Sequence, residues 1–110
     1  MKSGVFVNID GQVVNEFKKR GIEALEIDDK KDIPSNPELL VLNYNEDVFS
    51  ICHNIKKSSQ GTYILVLAEE HDAVEPVTRE EKQWFKADEV LNLPINEFQI
   101  NNILGVVHHG

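Results

Sequence analysis

Leu39-Leu40-Val41-Leu42 and Tyr63-Ile64-Leu65-Val66-Leu67-Ala68 are aliphatic or aromatic at every position. Runs this short suit strands rather than helices, and runs apolar on both faces suit parallel strands covered above and below by other elements. The residues between them supply such a cover. Val48, Phe49, Ile51, Cys52 and Ile55 recur at three- and four-residue spacing, and Asn45 stands where a helix cap belongs. Strand, helix, strand is therefore the unit from which the rest of the chain is read.

Working outward, Val5-Phe6-Val7-Asn8-Ile9, Ile22-Glu23-Ala24-Leu25-Glu26-Ile27 and Val90-Leu91-Asn92-Leu93 are further short apolar runs. The second alternates more than the others, as a strand near a sheet edge would. Asp10-Gly11 can start a helix whose Val13, Val14 and Phe17 share a face, and Gly21 supplies a left-handed stop. Thr78-Arg79-Glu80-Glu81 reads as a capping box ahead of Trp84 and Phe85. Asn96-Glu97-Phe98-Gln99 repeats that logic for a last helix, on which Phe98, Ile103, Leu104 and Val107 can line one face. The connection from Asp28 to Pro37 is polar and carries two prolines, so it has room for at most one helical turn. The expected fold is α/β: a single doubly wound, flavodoxin-like domain over residues 1–110. Its five-stranded parallel sheet takes the order 2-1-3-4-5, and its second helix is shortened or missing.

Composition narrows the function. At 110 residues with 41% hydrophobic and 27% charged residues, the chain suits one globular core. A single cysteine, Cys52, offers no internal disulfide, and no Cys/His spacing suits zinc, so no metal site and a reducing, cytoplasmic setting are expected. Cys52 itself is expected to be a small buried hydrophobe. No apolar run is long enough for a membrane span or a signal-peptide core. A formal charge of −8 speaks against nucleic acid as a partner. Between Ala68 and Glu89, eight acids stand against three bases, a net of −5, which marks this stretch as the surface best able to steer a partner.

Two stretches carry a family resemblance. Lys86-Ala87-Asp88-Glu89-Val90-Leu91-Asn92-Leu93-Pro94-Ile95 resembles the Gly-Ala-Asp-Asp-Tyr-Leu-x-Lys-Pro-Phe pattern of response-regulator receiver domains. Pro37-Glu38-Leu39-Leu40-Val41-Leu42-Asn43 is similar to that family's Pro-Asp-Leu-(apolar)₃-Asp. The resemblance implies a CheY-like fold with a phosphoryl-accepting site at the carboxyl ends of the strands. It places the acidic pair that binds magnesium at Ile9-Asp10, the phosphorylated aspartate at Asn43, the hydroxyl at Leu67 or Ala68, and the lysine at Leu93. Asp10 alone retains the charge such a site requires, and as the residue before Gly11 it also reads as a helix N-cap. Pro94 falls where the family has a cis peptide.

On that footing the chain is expected to be a degenerate pseudo-receiver with no cofactor and no enzymatic activity, independent of phosphorylation. It would serve bacterial signalling or localisation as a module within a larger protein. The resemblance implies a protein partner or a homodimer through the face built by the fourth helix, the fifth strand and the fifth helix, with Trp84, Phe85, Glu89 and Phe98 as its candidate contacts. The alternative is a regulatory domain that binds a small molecule in the cleft near Asp10, Asn43 and Ala68. No dinucleotide, Walker or hydrolase motif is present.

Overall fold

Five strands and three helices are formed among the residues that a computed structural model of the chain describes, namely 3–44, 48–68 and 87–109. In chain order they are β1 (Ser3–Val7), α1 (Gly11–Lys18), β2 (Glu23–Ile27), a 3-10 turn (Lys30–Asp32), β3 (Leu39–Asn43), α2 (Val48–Ser58), β4 (Tyr63–Ala68), β5 (Glu89–Asn92) and α3 (Glu97–His109). All strand pairs are parallel, and the order across the sheet is β2-β1-β3-β4-β5. The single turn at Lys30–Asp32 stands where a second crossover helix was expected to be shortened or missing.

Strand alternation divides the core in two. Phe6, Leu39, Val41, Leu65 and Leu67 face a cluster completed by Val14 and Phe17 of α1 and by Ile100, Ile103 and Leu104 of α3. Val5, Val7, Leu40, Leu42, Ile64, Val66 and Val90 face the other, with Val48, Ile51 and Cys52 of α2. The central strands are thus buried on both faces, the physical reason their sequences show no polar alternation. The rings of Phe6 and Phe17 meet edge to face, with centroids 5.3 Å apart, a favoured aromatic geometry. β2, one of the two edge strands, is mostly exposed, with Leu25 at 47%.

Local end signals behave as the sequence suggests. Asp10 caps α1, its carboxylate accepting the Gln12 N–H at 2.8 Å. Gly21 has φ +89°, a conformation in which a side chain would be strained. At α3 the capping is reciprocal: Gln99 N–H donates to Asn96 Oδ1 at 2.8 Å, and Asn96 N–H donates to Gln99 Oε1 at 3.0 Å. Arg20 ties α1 to α3 by donating from Nε to Asn101 Oδ1 at 3.1 Å. Asp88 holds the entrance to β5. Its Oδ2 accepts from Ile64 N at 2.7 Å and from Lys56 Nζ at 2.8 Å, while its own N–H donates to Ile64 O at 2.9 Å.

Three expectations need correction. β1 ends at Val7 instead of running to Ile9, because Asn8 turns the chain with φ +55°. The fifth strand is Glu89–Asn92 and leaves Leu93 outside. Phe98 does not line the packed face of the last helix: it is 73% exposed, and Ile100 takes its place beside Ile103 and Leu104. The Thr78 capping box, Trp84, Phe85, the Asn45 cap and most of the acidic stretch lie outside the described residues, as do the side chains of Phe49 and Val107. No helix among the described residues is long and apolar enough to cross a membrane.

Candidate functional site

The carboxyl ends of β1 and β3 lie side by side at the point where strand order reverses, and open α/β sheets take their ligands at such a switch point. A cleft of about 200 Å³ opens there, lined by Val7, Asn8, Asp28, Asp29, Lys30, Leu42, Asn43 and Ile51. Asn43 ends β3 and is half-buried. Its Nδ2 donates to the main-chain oxygen of Asn8 at 2.5 Å. A carbonyl can only accept, so the amide must turn its nitrogen toward Asn8. Asn8 is itself positioned by its backbone, donating to Ile27 O at 2.7 Å.

The other positions implied by the resemblance are distributed differently. Ile9 and Leu93 are half-buried and pack against the α1/α3 side of the core. Ala68 is 4% exposed at the end of β4, and Leu67 is fully committed to the core at 1%. Leu93 N–H continues the ladder by donating to Ala68 O at 2.8 Å, and the Leu93–Pro94 peptide is cis, as the motif implied. Asp10 is exposed, is occupied in capping α1, and does not line the cleft. Asn8, Asp28, Asp29 and Lys30 are the lining residues that the sequence reading did not single out. Asn8 carried a signal, since it follows the first strand directly as Asn43 closes the third.

The strand-end residues by themselves do not suit a hard divalent cation, and Asp28 and Asp29 are the carboxylates of the lining. Asn8 and Asn43 are neutral, Ile9 is apolar, and the Asn43 nitrogen is a hydrogen-bond donor, whereas magnesium takes oxygen ligands and prefers carboxylates. Asp29 lines the cleft but uses Oδ1 to accept the Lys31 N–H at 2.9 Å. Among the described residues no cluster of three or more His, Cys, Asp or Glu side chains forms. Nor is a nucleophile available in Cys52. The thiol is fully buried, and that burial, with a smaller contribution from the Asp88 charge, pushes its pKa up to about 11. It is protonated at neutral pH.

Of the candidate contact residues, Glu89 is half-buried in β5 and Phe98 is displayed on α3. Glu89 and Asp88 also bear on Tyr63, whose hydroxyl is pushed up to about 12, mainly by burial and then by these two carboxylates.

No protein-family model matches the chain, and no curated protein does. Among solved structures it is similar to a BeF3-activated DrrB receiver domain, with 14% identity, a TM-score of 0.77, and coverage of 100% of this chain and 99% of that one. It is also similar to a two-component response regulator from Clostridium difficile, at 12% identity, TM-score 0.76, and coverage of 99% and 97%. A structure described as adenylate cyclase from Rhodopirellula baltica follows the same path at 13% identity, TM-score 0.70, and coverage of 96% and 86%. The fold is therefore that of response-regulator receiver domains, the CheY-like variety of the flavodoxin fold. Such a fold hosts several functions, so the role of this chain must be argued from its site.

Proposed function

We propose that residues 1–110 act as one pseudo-receiver domain, a protein-interaction module of two-component type signalling that works without accepting a phosphoryl group and without catalysis. The observation that carries this reading is the Asn43 amide bonded to the Asn8 carbonyl. Acyl phosphate formation needs a carboxylate oxygen as nucleophile, and an amide at the end of β3 is not one. The surroundings support the same conclusion. Transfer also needs positive charge or a hydroxyl where the phosphoryl oxygens would sit. Leu93 and Ile9 instead turn into the core, and Ala68 has no hydroxyl.

With the chemistry absent, the part left to such a domain is to present a surface. Phe98, Glu89 and the expected contacts Trp84 and Phe85 belong to the half of the chain around β5 and α3, which we take as the docking region. A cleft of about 200 Å³ is smaller than the roughly 300 Å³ at which ordinary small-molecule sites begin, which weighs against the ligand-binding alternative. The test is incubation of the purified domain with acetyl phosphate and magnesium, followed by intact-mass measurement. The expected spectrum is unchanged; stoichiometric gain of a phosphoryl group overturns the reading.

A further inference from the structure

The connection between β2 and β3 leaves part of the sheet bare. The strand order carries it across β1 on the face that α2 also covers, and Ile33 packs into that side of the core. A crossover helix in this place would extend over β2 as well, since strands of a parallel sheet are ordinarily covered on both faces. The single turn at Lys30–Asp32 does not reach so far. Register sets Leu25 beside Val5 and Ile27 beside Val7, so these four side chains point to one face. Val5 and Val7 are buried, whereas Leu25 is 47% exposed and Ile27 and Ile33 are half-buried. Val7 also lines the cleft at the strand ends, which makes the bare strip and the cleft neighbours. On its other face β2 is met by α1, where Lys18 Nζ reaches Glu26 Oε2 at 3.4 Å.

Building on the reading of the domain as an interaction module, we propose that this strip takes a cationic amphipathic helix of a different protein, laid over β2 where the second crossover helix is missing. The strip belongs to the face of the sheet and not to its edge, and the described elements that complete both core clusters face-on are helices. Charge selects the kind of helix. Between Glu23 and Asp32 five acids stand against two bases. Glu23 shares the face of Leu25, and Asp28 and Asp29 line the adjoining cleft. Such a rim is complementary to lysine or arginine, and the net charge of −8 draws the same partner from a distance. The same field turns away nucleic acid, anionic lipid and a second copy of this chain. The copy's cluster Lys18-Lys19-Arg20 is moreover already engaged with Glu16 and Glu26. One exposed leucine beside two half-buried isoleucines is a small apolar contact, so the encounter is weak and electrostatically steered, with a dissociation constant on the order of 100 µM at low salt.

The probe is an alanine-based peptide of about 15 residues, with leucines at three- and four-residue spacing and lysines on the remaining sides, titrated into the isotope-labelled domain and followed by NMR. Binding is expected to saturate, with amide shifts centred on Leu25, Ile27 and Ile33. Leu25→Ser should weaken it at least about fivefold, and Phe98→Ser, on the far half of the domain, should leave it unchanged. Glu23→Gln combined with Asp28→Asn should weaken it about threefold at low salt and hardly at all near 0.5 M salt. A peptide of the same composition with its leucines scattered round the helix should bind at least about tenfold more weakly. Equal binding by the scattered peptide, shifts centred elsewhere, or no saturation below about 2 mM overturns the proposal and leaves the phosphorylation-independent reading standing. Tighter binding of an extended Lys/Val peptide along the β2 edge also overturns it. Phosphoryl uptake from acetyl phosphate would remove the earlier reading without touching the helix site.

Discussion

Replacing Asp88 should expose how β5 is held to the sheet. A parallel ladder runs out of partners where a strand begins, and Ile64, near the start of β4, would find no strand residue opposite its N–H. The Asp88 carboxylate stands in for one, accepting that N–H at 2.7 Å and the Lys56 ammonium at 2.8 Å. A hydrogen bond to a charged acceptor contributes about 1.5–3 kcal/mol. The ion pair, with side chains 33% and 23% exposed, adds about 0.5–1 kcal/mol after solvent screening. Asp88→Ala should therefore cost about 2–3 kcal/mol, and Asp88→Asn, which keeps a neutral acceptor for Ile64 and loses the ion pair, about 1 kcal/mol. In urea, with a slope near 1.3 kcal/mol/M, these correspond to midpoint losses of about 2 M and under about 1 M. Raising the salt to about 1 M should shrink the gap between wild type and Asp88→Asn and leave the gap between Asn and Ala, because only the ion pair is screened. Equal midpoints for Ala and Asn, or an Ala variant within about 0.5 kcal/mol of wild type, would refute this account of the ladder's end.

Further outcomes follow from the same geometry. Native Cys52 should resist thiol reagents at pH 8 and react at once when the chain is unfolded, read by a chromogenic disulfide. Its ordinary pKa of 9.0 rises to about 11 in the fold, so the unfolded chain loses its proton first. Stability should fall between about pH 9 and 11, and Cys52→Ala should flatten part of that fall in pH-dependent denaturation. Thr62→Val should cost about 1–2 kcal/mol by thermal or urea melting, since the buried hydroxyl donates to Pro37 O at 2.6 Å and its loss leaves that carbonyl without this donor. Asn43→Asp alone should leave the domain unlabelled by acetyl phosphate on mass measurement, because Ile9, Ala68 and Leu93 still supply none of the required charge or hydroxyl.

What the sequence determined was whatever depends on near neighbours along the chain. The burial of β3 and β4 on both faces is written in their unbroken aliphatic runs. The Asp10 cap, the Gly21 stop and the Asn96–Gln99 capping box each involve residues within a few positions, so residue type and spacing sufficed. The two prolines between Asp28 and Pro37 limited that connection to the single turn observed.

Only the tertiary structure decided the pairings between distant parts. Asn43 finds Asn8 across 35 positions because β1 and β3 are neighbours in the sheet. Ending β1 at Val7, two residues before Ile9, is what puts Asn8 at the cleft. Phe98 illustrates the same limit. The last helix carries the apolar Phe98 and Val106 beside the set Ile100, Ile103 and Leu104, so residue type alone left its buried side open, and the packing of Ile100, Ile103 and Leu104 in the core decides it, turning Phe98 outward. Local rules act through a few bonds of backbone, whereas the site is an arrangement of strand ends, and that arrangement exists only once the sheet has formed.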